Sequence, residues 1–129
     1  DERPAQHIDI APTILALLNL PPHPAFQGIN LAAETFDPHR TRFLVTQSPL
    51  LYQYAVVKDD FKYLWTPQFN RVQLFDLKND PTEKEDVSKK YPEKTKLLAR
   101  YLRSWANLQL NYYSDPEKYS KYYSPLIAE

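Results

Sequence analysis

The sequence predicts an α+β fold: a small antiparallel sheet of about four strands packed against a long C-terminal helix, with a short helix near the N-terminus. Three observations lead there. Four short β-rich runs succeed one another between residues 42 and 77, separated by turn signals. Apolar residues then recur at helical spacing from Leu98 to Tyr112. The chain has 129 residues, enough to bury roughly two-thirds of its extended surface and so to build one core.

Residues 9–20, DIAPTILALLNL, read as the first helix. Asp9 is placed to cap its free amides, and Pro12 falls in the first turn, where a missing N–H costs nothing. Ile14, Leu15, Leu17, Leu18 and Leu20 give it a wide apolar surface, covered on both sides, and Pro21-Pro22 ends it. Residues 21–31 form a rigid proline-rich connection. In it Gly28 is the one position that tolerates a positive φ without strain, and Phe26 and Leu31 are expected to anchor the crossing to the core. Asp37-Pro38 is a turn signal.

The strands are expected at 42–47, 51–58, 61–65 and 72–77. Asp59-Asp60 makes the second and third a hairpin, and places Phe61, Tyr63 and Trp65 on one face. Residues 82–90 are dense in charge and read as a solvated helix start. The long helix begins at Pro92-Glu93, both suited to a first turn. Leu98, Tyr101, Leu102, Trp105, Leu108, Gln109 and Tyr112 line its buried face and Leu97 widens it; Trp105 is expected to be the costliest truncation. After it, residues 112–129 form a Tyr-rich tail, in which Asp115 caps a second short helix carrying Tyr119, Tyr122 and Tyr123.

Composition excludes several function classes. Sixteen Lys+Arg balance sixteen Asp+Glu, so no general positive field favours nucleic acid, and no nucleic-acid partner is expected. Cysteine is absent, which removes disulfides, thiolate metal sites and a cysteine nucleophile. A single glycine beside 12 prolines cannot build a phosphate-cradling loop. No run approaches the ~20 apolar residues of a membrane span, so this chain is expected to hold no transmembrane segment. Methionine is absent and the chain opens Asp1-Glu2-Arg3-Pro4, which reads as a piece of a longer protein.

No catalytic constellation emerges. His7, His23 and His39 stand 16 residues apart, without the spacing of a metal motif, so no metal ligand is assigned. Asp59-Asp60 sits at a hairpin tip, where acids face water. Asp80, Glu83, Glu85 and Asp86 mingle with lysines as a solvated surface does. Ser48, in TQSPL, lacks a nucleophile elbow and reads as a turn residue. Gln47 and Ser48 remain as candidates for the rim of a substrate pocket, together with the 66–72 loop, because polar residues at strand ends often point into grooves. No catalytic residue is assigned.

Two stretches resemble a known family. QHIDIAPTILALLNLPPHPAFQGINL, residues 6–31, is similar to the D-[IVL]-x-P-T-[IVL]-L, helix, proline-containing loop and G-x-[SN]-L segment of sulfatases and their relatives in the alkaline phosphatase superfamily. LFDLKNDPTEKEDV, residues 74–87, resembles their L-[YF]-D-L-x-x-D-P-x-E-x-x-N-L pattern, with Asp86 where Asn is usual and Val87 where Leu is. FKYLW, residues 61–65, looks like the strand before it. The resemblance covers residues 6 to about 105 and implies the C-terminal subdomain of an α/β hydrolase. Residues 1–31 would then belong to the end of the catalytic core, 32–111 to the sheet and helix, and 112–129 to the tail. It implies a sulfuric ester hydrolase whose nucleophile, metal ligands and divalent cation, calcium in most members, lie upstream, so that this chain carries no cofactor. The partners implied are the upstream core and a sulfated glycan substrate, in a periplasmic or extracellular setting. A phosphoric ester hydrolase of the same superfamily, or a glycan- or protein-binding module using the tyrosine cluster, stays open as an alternative.

Overall fold

The computed structural model describes residues 4–35, 37, 39–115 and 117. The chain divides into two compact units, Asp1–Pro38 with Asn107–Glu129, and His39–Ala106.

The second unit holds the sheet. Its strands are β1 (Arg42–Gln47), β2 (Tyr52–Lys58), β3 (Phe61–Thr66) and β4 (Arg71–Asp76), each within a residue of the expected bounds. They form an antiparallel meander in the order β1-β2-β3-β4. Asp59 and Asp60 both take positive φ, 49° and 62°, which is the two-residue turn whose twist matches that of the flanking strands. Register lines up Phe43, Val56, Tyr63 and Leu74 across one face. The long helix, α2 (Pro92–Tyr113), contributes residues 92–106 to this unit. Its Leu98 and Leu102 join Val56, Tyr63, Leu74 and Val87 in one buried cluster, rimmed by Phe43, Phe61, Trp65, Tyr91 and Trp105. The expected α+β architecture is present.

The charged stretch before α2 is not a helix start. It is a run of turns closed by carboxylates, and α2 begins only at Pro92. The Asp80 carboxylate accepts the N–H groups of Lys84 and Glu85 at 2.6 and 2.8 Å. Glu83, at φ 56°, turns its side chain onto Lys62 of β3 at 2.7 Å. Leu74 N–H donates to Asp86 Oδ1 at 3.1 Å, and Val87 N–H donates to the Leu74 carbonyl at 2.8 Å. The loop therefore fastens onto the outer edge of β4 and drops Val87 into the core, where it is 6% exposed. Asp80 and Asp86 accept backbone N–H groups and Glu83 engages one lysine, since loop amides outside regular structure need partners.

One further expectation for α2 is corrected. Leu97 is 42% exposed, because it sits one position off the buried stripe and the sheet covers only the stripe itself. Trp105 stacks flat on Phe43, centroids 4.9 Å apart, yet stays only partly buried.

The first unit is built around a buried carboxylate. A 3-10 turn, His7–Asp9, leads into α1 (Ile10–Leu17). Asp9 is fully buried but does not cap the helix with its side chain. Its carboxylate accepts Gln6 N–H at 2.7 Å and, from 20 residues along the chain, Ile29 N–H at 3.0 Å. Thr13 Oγ1 donates to the Asp9 carbonyl at 2.6 Å and accepts Leu31 N–H at 2.9 Å. Gly28 is not at positive φ. It is glycine because a Cβ there would lie 1.9 Å from the Ile8 carbonyl oxygen. Backbone meets backbone at that crossing.

α1 ends earlier than expected, and not at the prolines. Asn19 takes φ 55°, its N–H donates to Ala16, and Leu20 N–H reaches back to the Leu15 carbonyl at 2.8 Å, which is a Schellman stop. The helix has no fully buried residue, and Ile14, Leu17 and Leu18 are 49, 67 and 63% exposed, so it is not covered on both sides. Phe26, 40% exposed, pairs with the His23 ring at 5.0 Å instead of anchoring the connection; Asp9 and Thr13 do that. Tyr112 and Tyr113 close α2, and Glu117 N–H donates to Asp115 at 3.0 Å. Tyr119, Tyr122, Tyr123 and Pro38 lie outside the described residues.

Two outcomes follow for stability. Leu98→Ala, which empties a fully enclosed site, is expected to cost about 3–4 kcal/mol and more than Trp105→Ala in urea unfolding. Gly28→Ala and Asp9→Ala are each expected to cost at least about 2 kcal/mol, the first by forcing two backbones apart and the second by stranding buried N–H groups; differential calorimetry of the two variants checks this.

Candidate functional site

The turn joining β1 to β2 and the turn following β3 border one open groove of about 520 Å³, lined by Pro49, Leu50, Tyr52, Tyr54, Pro67 and Gln68. Tyr52 and Tyr54 share a strand face by alternation, and the Tyr54 ring tilts against Trp65 at 5.6 Å. Pro67–Phe69 is a single 3-10 turn that ends at Asn70, φ 45°.

Gln68 is the residue that sequence reasoning missed. With its amide oriented to suit its partners, it donates to the Tyr52 carbonyl at 3.0 Å and accepts Tyr52 N–H at 2.6 Å. β3 stops pairing with β2 at Tyr54, so a side chain continues the ladder where the backbone has turned away. A glutamine following proline after a strand is the only signal, and it is weak without the register.

Ser48 is the turn residue its sequence context suggests. Its N–H donates to the Leu51 carbonyl at 2.9 Å, and its Oγ accepts Leu51 N–H at 3.0 Å. Gln47 ends β1 exposed, its amide 3.5 Å from the Tyr52 hydroxyl. Both stand beside the groove and neither lines it. Leu50, 88% exposed, projects at its mouth.

The groove is uncharged. Proline rings, a leucine, two tyrosines and an engaged amide offer flat apolar surface to a ring or chain, and nothing there abstracts a proton or attacks an electrophile. A second pocket of about 370 Å³, in the first unit, is lined by His7, Ile8, Ala11, Ala25, Phe26, Gln27, Gln109 and Tyr113. There the amides of Gln27 and Gln109 bond each other reciprocally, at 2.9 and 3.3 Å. His23 Nδ1 accepts Ala25 N–H. Among the described residues no group of three or more His, Asp or Glu is placed to hold a metal ion. Nor is any helix among them long and apolar enough to cross a membrane.

The acids that do shift belong to the β4 loop. The Asn79 side chain, helped by its N–H, holds the Asp76 carboxyl below its ordinary value despite some desolvation. Glu85 N–H, with Thr82 and Lys84, does the same for Asp80. Burial pushes Asp86 up, but bonds from Leu74 and Ser88 outweigh it and the net shift is downward.

No family model matches the chain, and no curated protein does. Solved structures do match. Ps i-CgsB is 24% identical with a TM-score of 0.65, over 80% of this chain and 24% of that one. BT4656, solved in complex with its substrate D-glucosamine-2-N,6-O-disulfate, is 19% identical with a TM-score of 0.63, over 88% and 25%. BT1596, a 2-O GAG sulfatase, is 22% identical with a TM-score of 0.57, over 85% and 25%. The fold is one that sulfatases contain. The chain spans about a quarter of the length of the structures it matches.

Depressed carboxyl pKa values contribute stability that is present above the unfolded-state value and lost as pH falls through the folded one. Melting temperature is therefore expected to fall once pH drops below about 4, and Asp86→Asn, which keeps the acceptor oxygen for Leu74, should flatten part of that fall in a pH series of thermal melts.

Proposed function

We propose that this chain is the C-terminal portion of a sulfatase-like hydrolase, non-catalytic itself, whose β1–β2 turn and Pro67–Phe69 turn form one wall of the substrate pocket. The observation that carries this reading is the fold shared with sulfatases over most of this chain and about a quarter of theirs. The uncharged groove beside Gln47 and Ser48 supports it, because a wall needs surface and shape but no reactive group. Residues 1–31 are assigned to the end of the catalytic core, and the exposed apolar side of α1, Ile10, Ile14, Leu17 and Leu18, suits burial against that core.

The division of labour follows from the chemistry. Sulfate ester hydrolysis needs an activated oxygen nucleophile at sulfur and positive charge to stabilise the oxygens as they gain electron density. The residues described here do not fit a cation site, so the divalent cation, its ligands and the nucleophile are assigned to the rest of the protein. What this chain contributes is position: Tyr52, Leu50 and Pro67 hold the alcohol side of the ester, and Gln47 and Ser48 border it. The substrate class proposed is a sulfated glycan, and the setting periplasmic or extracellular.

The protein containing this chain is expected to hydrolyse sulfate esters and not phosphate esters, while the 129-residue chain turns over neither. Leu50→Ala, at a position too exposed to matter for folding, should raise KM for a sulfated oligosaccharide about threefold or more and leave a small aryl sulfate unaffected. Turnover by the isolated chain, or an unchanged KM for the oligosaccharide, would contradict the assignment.

A further inference from the structure

The two outer edges of the sheet are treated differently. On β4, the returning loop takes the outward groups from Leu74 onward: Leu74 N–H by Asp86, the Leu74 carbonyl by Val87 N–H, and the Asp76 carbonyl by Asp80 N–H; Val72, beside the charged Arg71, also faces outward. On β1, Ser48 and Leu51 exchange backbone hydrogen bonds, which makes Gln47 opposite Tyr52 the next, non-bonded pair, and Val45 opposite Tyr54 another. The N–H and carbonyl groups of Val45 and Gln47 thus point away from the sheet. Among the described residues nothing accepts from or donates to them, and Val45 is 46% exposed. Residues 43–47, Phe-Leu-Val-Thr-Gln, carry no charge, no proline and no bulge, the devices by which edge strands ordinarily avoid pairing.

We propose that the free edge of β1 pairs antiparallel with β1 of a second copy of this chain, about a two-fold axis at Thr46. In that register Val45 of one copy exchanges backbone hydrogen bonds with Gln47 of the other, and the reverse, so the outward groups of both residues are satisfied at once. Thr46 faces Thr46 as a close non-bonded pair, and Leu44 faces Ser48. No like charges meet, since Arg42 opposes Leu50. The second copy is the occupant because the strand is complementary to itself, and on β4 the loop at Asp86 and Val87 blocks the same pairing. Isologous pairing then closes at two and does not grow into a filament.

Sedimentation velocity of the protein from micromolar to millimolar concentration tests this, with circular dichroism reporting the fold of each variant. A reversible monomer–dimer equilibrium is expected. Thr46→Lys, exposed and harmless to the monomer, places two ammonium groups opposite each other and should weaken the dimer at least about tenfold. Val45→Pro removes one of the bonding N–H groups and should weaken it likewise, while Leu18→Lys on α1 should leave it unchanged. A protein that stays monomeric throughout, or a dimer lost with Leu18→Lys but kept with Thr46→Lys, overturns the proposal; the latter would assign association to the α1 face.

Discussion

Backbone N–H groups outside helices and strands need acceptors, and in this protein carboxylates supply them. Asp9 draws Gln6 and Ile29 onto one buried side chain. Asp80 folds the loop after β4 back on itself, and Asp86 fastens that loop to Leu74. A chain with one glycine and 12 prolines has few conformationally free residues with which to turn, so its long connections are held by ionised side chains from within. A bond to an ionised acceptor is stronger than a neutral one, and a buried N–H left without it is costly.

These clasps fix the shape of the two stretches, residues 6–31 and 74–87. Asp9, Thr13 and Gly28 fix the crossing of residues 28–31 over the 3-10 turn and the start of α1. Asp80, Glu83, Asp86 and Val87 fix the loop between β4 and α2. An Asn at position 86 would present the same Oδ1 to Leu74. In the first stretch the shape needs a backbone contact that no Cβ allows, and in the second an acceptor at a set distance from β4. Both are demands of shape, made on residues that a motif search would otherwise take for chemistry.

The groove stands in a different relation to the sequence. Gln47 and Ser48 were legible as residues near a rim because a polar pair before proline ends a strand. Gln68 was not, because its role depends on β3 having already parted from β2. Nor was the contrast between the β1 and β4 edges, since whether an outward N–H finds a partner depends on where a loop far along the chain returns. Val87 and Asp86 act on Leu74 from 13 and 12 residues away, a distance that no local pattern spans.

By itself the sequence determined the elements: four strands from alternation and turn residues, one long helix from its 3.6-residue period, and a hairpin at Asp59-Asp60. These are local preferences of backbone and side chain, and they survive without knowledge of neighbours. The tertiary structure alone decided that Asp9 closes a capping box on the 3-10 turn and holds Ile29 instead of capping α1, that Gly28 is required by close approach of two backbones, that the charged stretch is turn and not helix, and that Leu98 outranks Trp105 in burial. Each of these depends on which atoms lie against the residue, and that is fixed only when segments distant in the chain meet.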